Sequence, residues 1–425
     1  MSHIRRARKI EADVFLARSS GKNTFLRKRI HVYRMNLTLR RPHHHHDHHH
    51  SVLDAILHKS AAFVRGNVVF CIALALAAIT SCIVTPDAKY LNYLDFKTLT
   101  CLFCTLAVVC ALRNIRFFTI LARRIVTLTG NTRAAVLALV YITFLGSMLI
   151  ANDMALLTFL PLGYFVLSST GKHKYMAFTF VMQNIAANLG GMITPFGNPQ
   201  NLYLFSHFHI PTGEFMGIMA IPFAVAVFLI TLCCLVFVRR EALELKENGN
   251  MKLPPLRTVF YLILFAYSIL IVFNTIPYWT GLIIIPLCLL FADRDALKKV
   301  DYALLGTFVC FFIFAGNMSR MEPVRALFSF LLEKNTLLVS AFSCQFISNV
   351  PSAILLSQFT ENYRELLWGV NIGGAGTIIA SLASLITFRE YTSHNPGKTG
   401  AYMKVFSLLN FGFLSILAVV CLLLR

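Results

Sequence analysis

Residues Asn188–Asn201 read NLGGMITPFGNPQN and lie between apolar flanks. Pro195 and Pro199 lack a backbone N–H and disrupt a helix. Gly190, Gly191 and Gly197 permit turns and close backbone approach. In hydrocarbon an unwound stretch strands polar backbone groups, so it is tolerated only where it lines a cavity or is buried in protein. The stretch therefore predicts a discontinuous helix, broken near mid-membrane. Freed N–H groups and the positive end of a half-helix can hold an anion, and freed carbonyls can hold Na⁺. The alternative is a proline kink packed against neighbours. Asn188, Thr194, Asn198 and Asn201 add side-chain polarity that a kink does not require.

The surrounding chain has the composition of a membrane protein. It is 57% hydrophobic and 14% charged over 425 residues, against about a quarter charged in soluble chains. A span takes about 20 apolar residues. On that rule the chain from Asn67 to Arg425 supplies about ten spans in one all-α integral membrane domain. Two amphipathic stretches, 115–129 and 323–333, carry Arg and suit the membrane interface.

The broken helix has a counterpart. Asn371-Ile-Gly-Gly-Ala-Gly-Thr377, with Ser381 and Ser384 behind it, matches the Asn-Leu-Gly-Gly opening of the first stretch. Asp95-Phe96 matches Asp301-Tyr302, and Ile150-Ala151-Asn152-Asp153 matches Ile347-Ser348-Asn349-Val350. The three offsets are 206, 197 and 183, all in the same order along the chain. Such an internal repeat points to a secondary transporter with its site at the repeat interface. The expected organisation is a first repeat over 67–238, a charged linker over 239–257 and a second repeat over 258–425. In the second break Gly373, Gly374 and Thr377 stand where the first has Gly190, Gly191 and Thr194. Close helix packing is the competing use of such glycines.

The stretches after Asn152 and Asn349 are short for a span and fit the arms of two re-entrant hairpins, with Asn152, Ser348 and Asn349 at the tips and Pro351 supporting a turn. Asp153 is the one carboxylate in this constellation, and an intramembrane acid is a functional candidate. Burial favours the protonated carboxyl, whereas a bound Na⁺ favours the ionised one. A helix N-cap or an interfacial acid is the plainer alternative. Asn317 is a weaker cavity candidate, and Arg320, Glu322 and Arg325 read as a solvated helix end.

The net charge is +20. Residues 1–66 hold 14 Lys/Arg against four acids, which reads as a cytoplasmic, mostly disordered tail. Nucleic-acid binding is the rival use of a basic tail, but no aromatic interleaving supports it, and anionic lipid is the nearer partner. Seven His in 43–50 flank Asp47, either a metal-chelating tract or a low-complexity one, outside any transport path. Met35 is a second candidate start. Cys101-Leu-Phe-Cys104 has redox spacing but no second pair, and reads as packing.

ANDMALLTFLP, NLGGMITPFGNPQNLYL, ISNVPSAILL and NIGGAGTIIASLASLI together resemble the ion transporter superfamily. It contains citrate and dicarboxylate permeases, arsenite pumps and one class of sodium–proton antiporters. The GNPQN and SNVPS wording looks most like citrate-transporter-like bacterial anion permeases. The resemblance implies an inverted-repeat fold, two re-entrant hairpins, a homodimer and an elevator motion. The dicarboxylate branch carries Ser-Asn-Thr at both tips. Here Ala151-Asn152-Asp153 and Ser348-Asn349-Val350 both lack the Thr, which argues against a dicarboxylate.

The expected function is ion-coupled transport of a small anion across a bacterial inner membrane, with no cofactor beyond a coupling Na⁺ or H⁺. Sodium–proton antiport and metalloid efflux are the alternatives. The chain has no HExxH, GxSxG or Walker motif, so it is not read as an enzyme.

Overall fold

The computed structural model describes residues 67–243 and 253–425. The basic tail, the His tract and residues 244–252 of the charged linker lie outside the described residues.

The described residues are helical, with one isolated bridge, Asn131 to Ala242, and no strand. In chain order the helices are α1 (Val68–Ile83), α2 (Phe96–Asn114), α3 (Phe117–Thr127), α4 (Thr132–Ile150), α5 (Asn152–Ser169), α6 (Met176–Gly190), α7 (Pro199–His207) and α8 (Thr212–Phe237). They continue as α9 (Pro255–Val272), α10 (Tyr278–Ala292), α11 (Arg294–Lys298), α12 (Tyr302–Ser319), α13 (Glu322–Ile347), α14 (Asn349–Leu356), α15 (Tyr363–Ile372), α16 (Leu382–His394) and α17 (Thr399–Leu423). Among the described residues eight helical segments are long and apolar enough to cross a membrane, and α1 and α10 are shorter apolar helices. The protein is an all-α integral membrane protein.

Side-chain caps set where helices start. Asp95 accepts from Thr98 N at 2.9 Å and Asp301 from Leu304 N at 2.9 Å, each satisfying an N–H that has no partner within its helix. Asn131 does the same for Ala134 N at 3.0 Å. Within α13, Asn335 is non-helical and accepts from Leu338 N at 2.9 Å, so α13 is two helices joined at a kink. The two amphipathic stretches expected from the sequence are α3 and the part of α13 before this kink.

Apolar burial gives little drive between helices in lipid, so association rests on close packing and polar contacts. Gly306 and Gly316 of α12 lie against the rings of Phe70 and Tyr93. Asn317 Nδ2 donates to Thr80 Oγ1 and Ser81 Oγ, both at 3.2 Å, tying α12 to α1. Asn317 therefore packs these helices together through its amide. Arg320 is not simply solvated: it pairs with Asp87 at 3.0 Å and donates to Tyr93 Oη at 3.1 Å. Cys101 and Cys104 are buried free thiols, in keeping with packing.

After α8 the chain turns back over the starts of α4 and α6. Thr132 N donates to Glu241 O at 2.8 Å, and Arg133 Nε to Val238 O at 2.6 Å. The Glu241 carboxylate accepts from Lys172 Nζ at 2.8 Å, from Lys174 Nζ at 2.5 Å and from Tyr175 Oη at 2.9 Å. At the other end of the chain, Arg425 Nε meets buried Glu365 of α15 at 2.7 Å, and Glu365 accepts from Leu337 N at 3.2 Å. Each clamp seats the base of a helix that runs to one of the two tight turns described next.

Candidate functional site

Helix α4 ends at a turn in which Ala151 takes φ 65°, ψ 152°, and α13 ends at a turn in which Ser348 takes φ 74°, ψ 159°. Positive φ in a residue with a Cβ stores about 1–3 kcal/mol. The sequence reading put Asn152 and Asn349 at the tips. The structure places each asparagine one residue later, as the first residue of α5 and α14. Each Oδ1 then accepts from the next backbone N–H, Asp153 N at 2.9 Å and Val350 N at 2.9 Å. Pro351 lies in the first turn of α14 and not in the turn itself, which Ser348 makes.

Helix α6 stops at Gly190. A short 3₁₀ turn over Gly191–Ile193 and a loop lead to α7, whose first residue is Pro199. Pro is tolerated there because the first N–H of a helix has no partner to lose. Helix α15 stops at Ile372, and after a loop and a 3₁₀ turn α16 starts behind Ser381, whose Oγ accepts from Ser384 N at 3.2 Å. Both helices are therefore broken at the Gly-rich stretches.

Each break is fastened to the neighbouring turn in the same way. Thr194 Oγ1 donates to Met148 O at 3.0 Å, and Thr377 Oγ1 donates to Gln345 O at 2.9 Å. Met148 and Gln345 each lie three residues before the positive-φ residue. Gln345 adds side-chain bonds, accepting from Thr377 N and donating to Gly373 O, both at 2.9 Å. Gly376 has φ 146°, and a Cβ there would collide with the Gln345 side chain. Pro195 and Gly197 shape the first loop, where a Cβ on Gly197 would strike Gly191 O and Thr194 Oγ1.

The asparagines form one buried network across the two breaks. Asn371 Nδ2 donates to Asn201 Oδ1 at 2.6 Å and to Leu367 O at 2.9 Å, while its Oδ1 accepts from Asn198 Nδ2 at 3.4 Å. Asn198 also donates to Asn188 O at 3.1 Å. Asn201 Nδ2 gathers the carbonyls of Gly191, Met192 and Thr194 at 3.2, 3.3 and 3.4 Å, the groups that the break frees. Asn152 Nδ2 donates to Asn188 Oδ1 at 3.3 Å. Asn349 joins from the other side: a Cβ on Gly374 would stand 3.1 Å from Asn349 Nδ2, 3.3 Å from Asn371 O and 3.6 Å from Asn188 Oδ1. Gly374 is thus the close approach that brings Asn349 beside Asn371 and Asn188. Gly191 is another, since a Cβ there would strike Asn198 Oδ1. Gly190 and Gly373 do other work. They press on α4 at Phe144 O and Ser147 Oγ, and on α13 at Ala341 and Cys344.

The network extends to Asn184 and Asn410, not singled out in the sequence, and to Ser384. Asn188 Nδ2 donates to Asn184 Oδ1 at 3.4 Å, and Asn184 Nδ2 to Ser384 Oγ at 3.2 Å and Asn410 Oδ1 at 3.4 Å. Asn184 and Asn188 share a helix face at i, i+4, the one sequence signal that pointed to this extension. Gln345 and Asn410 carry no comparable signal.

Asp153 stands beside the network and not within it. It faces a cavity of about 70 Å³ that is also lined by Thr105, Ala151, Leu157, Pro199 and Asp301. Its Oδ1 is buried and has no hydrogen-bond partner among the described residues. Successive helix residues point about 100° apart, so Asn152 meets α6 while Asp153 turns to α2.

The citrate transporter family model matches residues 56–364. A protein named as an uncharacterized transporter in Methanocaldococcus jannaschii is 32% identical over 306 residues, covering 70% of this chain and 82% of that protein. Inner membrane protein YbiR of Escherichia coli is 29% identical over 283 residues, covering 64% of this chain and 74% of that protein.

Proposed function

The chain belongs to the citrate transporter family, and from that membership we propose that it is an ion-coupled secondary transporter that carries a small anion, citrate-like or inorganic, across a bacterial inner membrane. The observation that carries the site is the Asn371–Asn201 bond of 2.6 Å, which joins the two broken helices. Asn152, Asn188, Asn198, Asn201, Asn349 and Asn371 form its polar wall, with Gly191 and Gly374 giving backbone access. Amide N–H groups and half-helix N-termini suit an anion. No Lys or Arg is needed there, so the anion enters with its charge partly balanced by a coupling cation.

In this reading α1–α8 and α9–α17 are inverted repeats, and the turns at Ala151 and Ser348 are tips of two re-entrant hairpins. The matched Asp caps, the matched positive-φ residues and the matched Thr-to-carbonyl bonds support it. Asn131 and Asn335 then mark corresponding hinges between interfacial and hairpin segments. The protein works as a homodimer by an elevator motion, with residues 1–66 on the cytoplasmic side. It moves its substrate without chemical change and needs no cofactor beyond Na⁺ or H⁺.

A second reading, sodium–proton antiport, is favoured by the cavity that Asp153 and Asp301 share. Proteoliposomes separate the two. Anion accumulation driven by a Na⁺ or H⁺ gradient supports the first, and Na⁺-for-H⁺ exchange without any anion supports the second.

A further inference from the structure

Asp153 and Asp301 face one cavity of about 70 Å³ between α2, α5 and α12. One water needs about 10–15 Å³, so the cavity has room for several. Leu102, Leu106, Leu149, Leu157 and Ile386 give it aliphatic walls. Two carboxylates do not both carry charge beside such walls, because like charges in a weakly screened site repel and one acid keeps its proton.

Which acid keeps it follows from their partners. Asp301 stands at the start of α12, where its Oδ1 accepts from Leu304 N at 2.9 Å. An N–H donor and the positive end of a helix stabilise a negative charge. Asp153 also begins a helix, but its backbone N–H donates to Asn152 Oδ1 at 2.9 Å. Its own Oδ1 is buried with no hydrogen-bond partner among the described residues. A buried carboxylate oxygen without a donor is costly, whereas a protonated carboxyl needs an acceptor. Thr105, on the same cavity, is one. Its hydroxyl hydrogen is committed to Cys101 O at 2.9 Å, so any further bond at Thr105 Oγ1 is one that it accepts. Charged groups on the neighbouring helices have other contacts. Arg113 donates to Met154 Sδ at 3.2 Å, Lys299 donates to Asn114 Oδ1 at 2.7 Å, and Arg123 lies over the Phe165 ring. On α16, Arg389 is exposed and Glu390 lies 3.8 Å from His394.

We propose that this cavity is a proton-binding site, with the proton on the Asp153 carboxyl, the negative charge on Asp301 and Thr105 Oγ1 as acceptor for the protonated acid. The inference rests on the reading of ion-coupled transport and narrows it: H⁺ is the coupling ion.

Infrared spectroscopy of the purified full chain at neutral pH tests this without any anion or transport. A protonated carboxyl gives a carbonyl band apart from those of carboxylates and amides. The wild-type protein is expected to show such a band, to keep it as Na⁺ is added, and to lose it in Asp153→Asn. Thr105→Val is expected to shift the band without removing it. If Asp153→Asn does not fold, Asp153→Glu still has to shift the band. No such band in the wild type, or an undiminished band in folded Asp153→Asn, overturns the proposal. A band that disappears as Na⁺ is added also overturns it, returning the cavity to sodium–proton exchange. In proteoliposomes an H⁺ gradient, and not a Na⁺ gradient, then drives uptake. Uptake driven by Na⁺ alone overturns H⁺ as the coupling ion. Absence of uptake with the band in place instead sinks the transport reading and leaves the proton site standing.

Discussion

Asn371 bridges to the far side of the site: its amide donates to Asn201 Oδ1 across 2.6 Å and its carbonyl oxygen accepts from Asn198. Both partners sit at the start of α7, after the first break, whereas Asn371 lies in the last turn before the second. One side chain therefore couples two helix breaks 170 residues apart in sequence. Asn201 spends its own amide on the carbonyls that the first break frees. A wall built this way is ordered without a single charge.

Replacing Asn371 with Ala leaves Asn201 Oδ1 without its donor, while Asn198 Nδ2 keeps only its bond to Asn188 O. A buried polar group left unsatisfied costs about 1–3 kcal/mol. The expected outcome is a chain that still inserts and folds, melts a few degrees lower, and transports at least tenfold more slowly. Proteoliposome uptake and a thermal melt in detergent, measured on the same preparation, check both parts.

The turn residues give a test of backbone strain. At Ala151 (φ 65°) glycine is unstrained and a β-branched residue is worse than alanine. Ala151→Gly is expected to melt at or above the wild-type temperature, and Ala151→Val several degrees below it. Ser348→Gly and Ser348→Val are expected to follow the same order. A reversed order at either site would mean that the turn conformation is not the one described.

The threonines of the two breaks have the same role and should fail alike. Thr194→Val and Thr377→Val each remove one hydroxyl-to-carbonyl bond while keeping shape, at a cost of about 1 kcal/mol. Thr377 retains its backbone bond to Gln345 Oε1, so its loss is expected to be the milder. Melting curves and uptake rates of the two variants side by side check the ranking.

Glu241 supplies the pH prediction. Hydrogen bonds from Lys172, then Lys174 and Tyr175, pull its carboxyl down to about 2. A carboxyl depressed on folding stabilises the folded state above its unfolded value, and that gain fades as pH falls toward the folded one. Glu241→Gln should therefore melt below wild type at pH 7. The gap should close between about pH 4.5 and pH 2. A gap that stays constant over this window would show that the carboxylate charge plays no part in the clamp.

Much of this was legible in the sequence because the bilayer punishes exceptions. Asn188, Gly191, Pro195 and Pro199 together rule out an uninterrupted lipid-facing helix, and the chain does break there. Asn188 and Asn371 each lie in the last turn before a break, and Asn152 and Asn349 each open a helix after a positive-φ turn; the matching words in order marked these positions. The contacts across the breaks were not legible. Nothing in sequence says that Asn371 meets Asn201, because that depends on how α15 and α7 approach in space. Asp153 reads as central beside Asn152, yet helical rotation sends adjacent side chains to different neighbours. Gln345 and Asn410 looked like ordinary polar residues in apolar runs, and their partners lie far away in sequence.

The central claim is that an ion gradient drives a small anion through the site joined by Asn371 and Asn201. Its most direct test is uptake of radiolabelled citrate and a panel of small inorganic anions into proteoliposomes, with an inward Na⁺ gradient, an inward H⁺ gradient, or neither. The account predicts that at least one anion accumulates above its equilibrium level under one of the two gradients, and that Asn371→Ala slows the accumulation at least tenfold. Uptake that is indifferent to both gradients, or unchanged in Asn371→Ala, would contradict it.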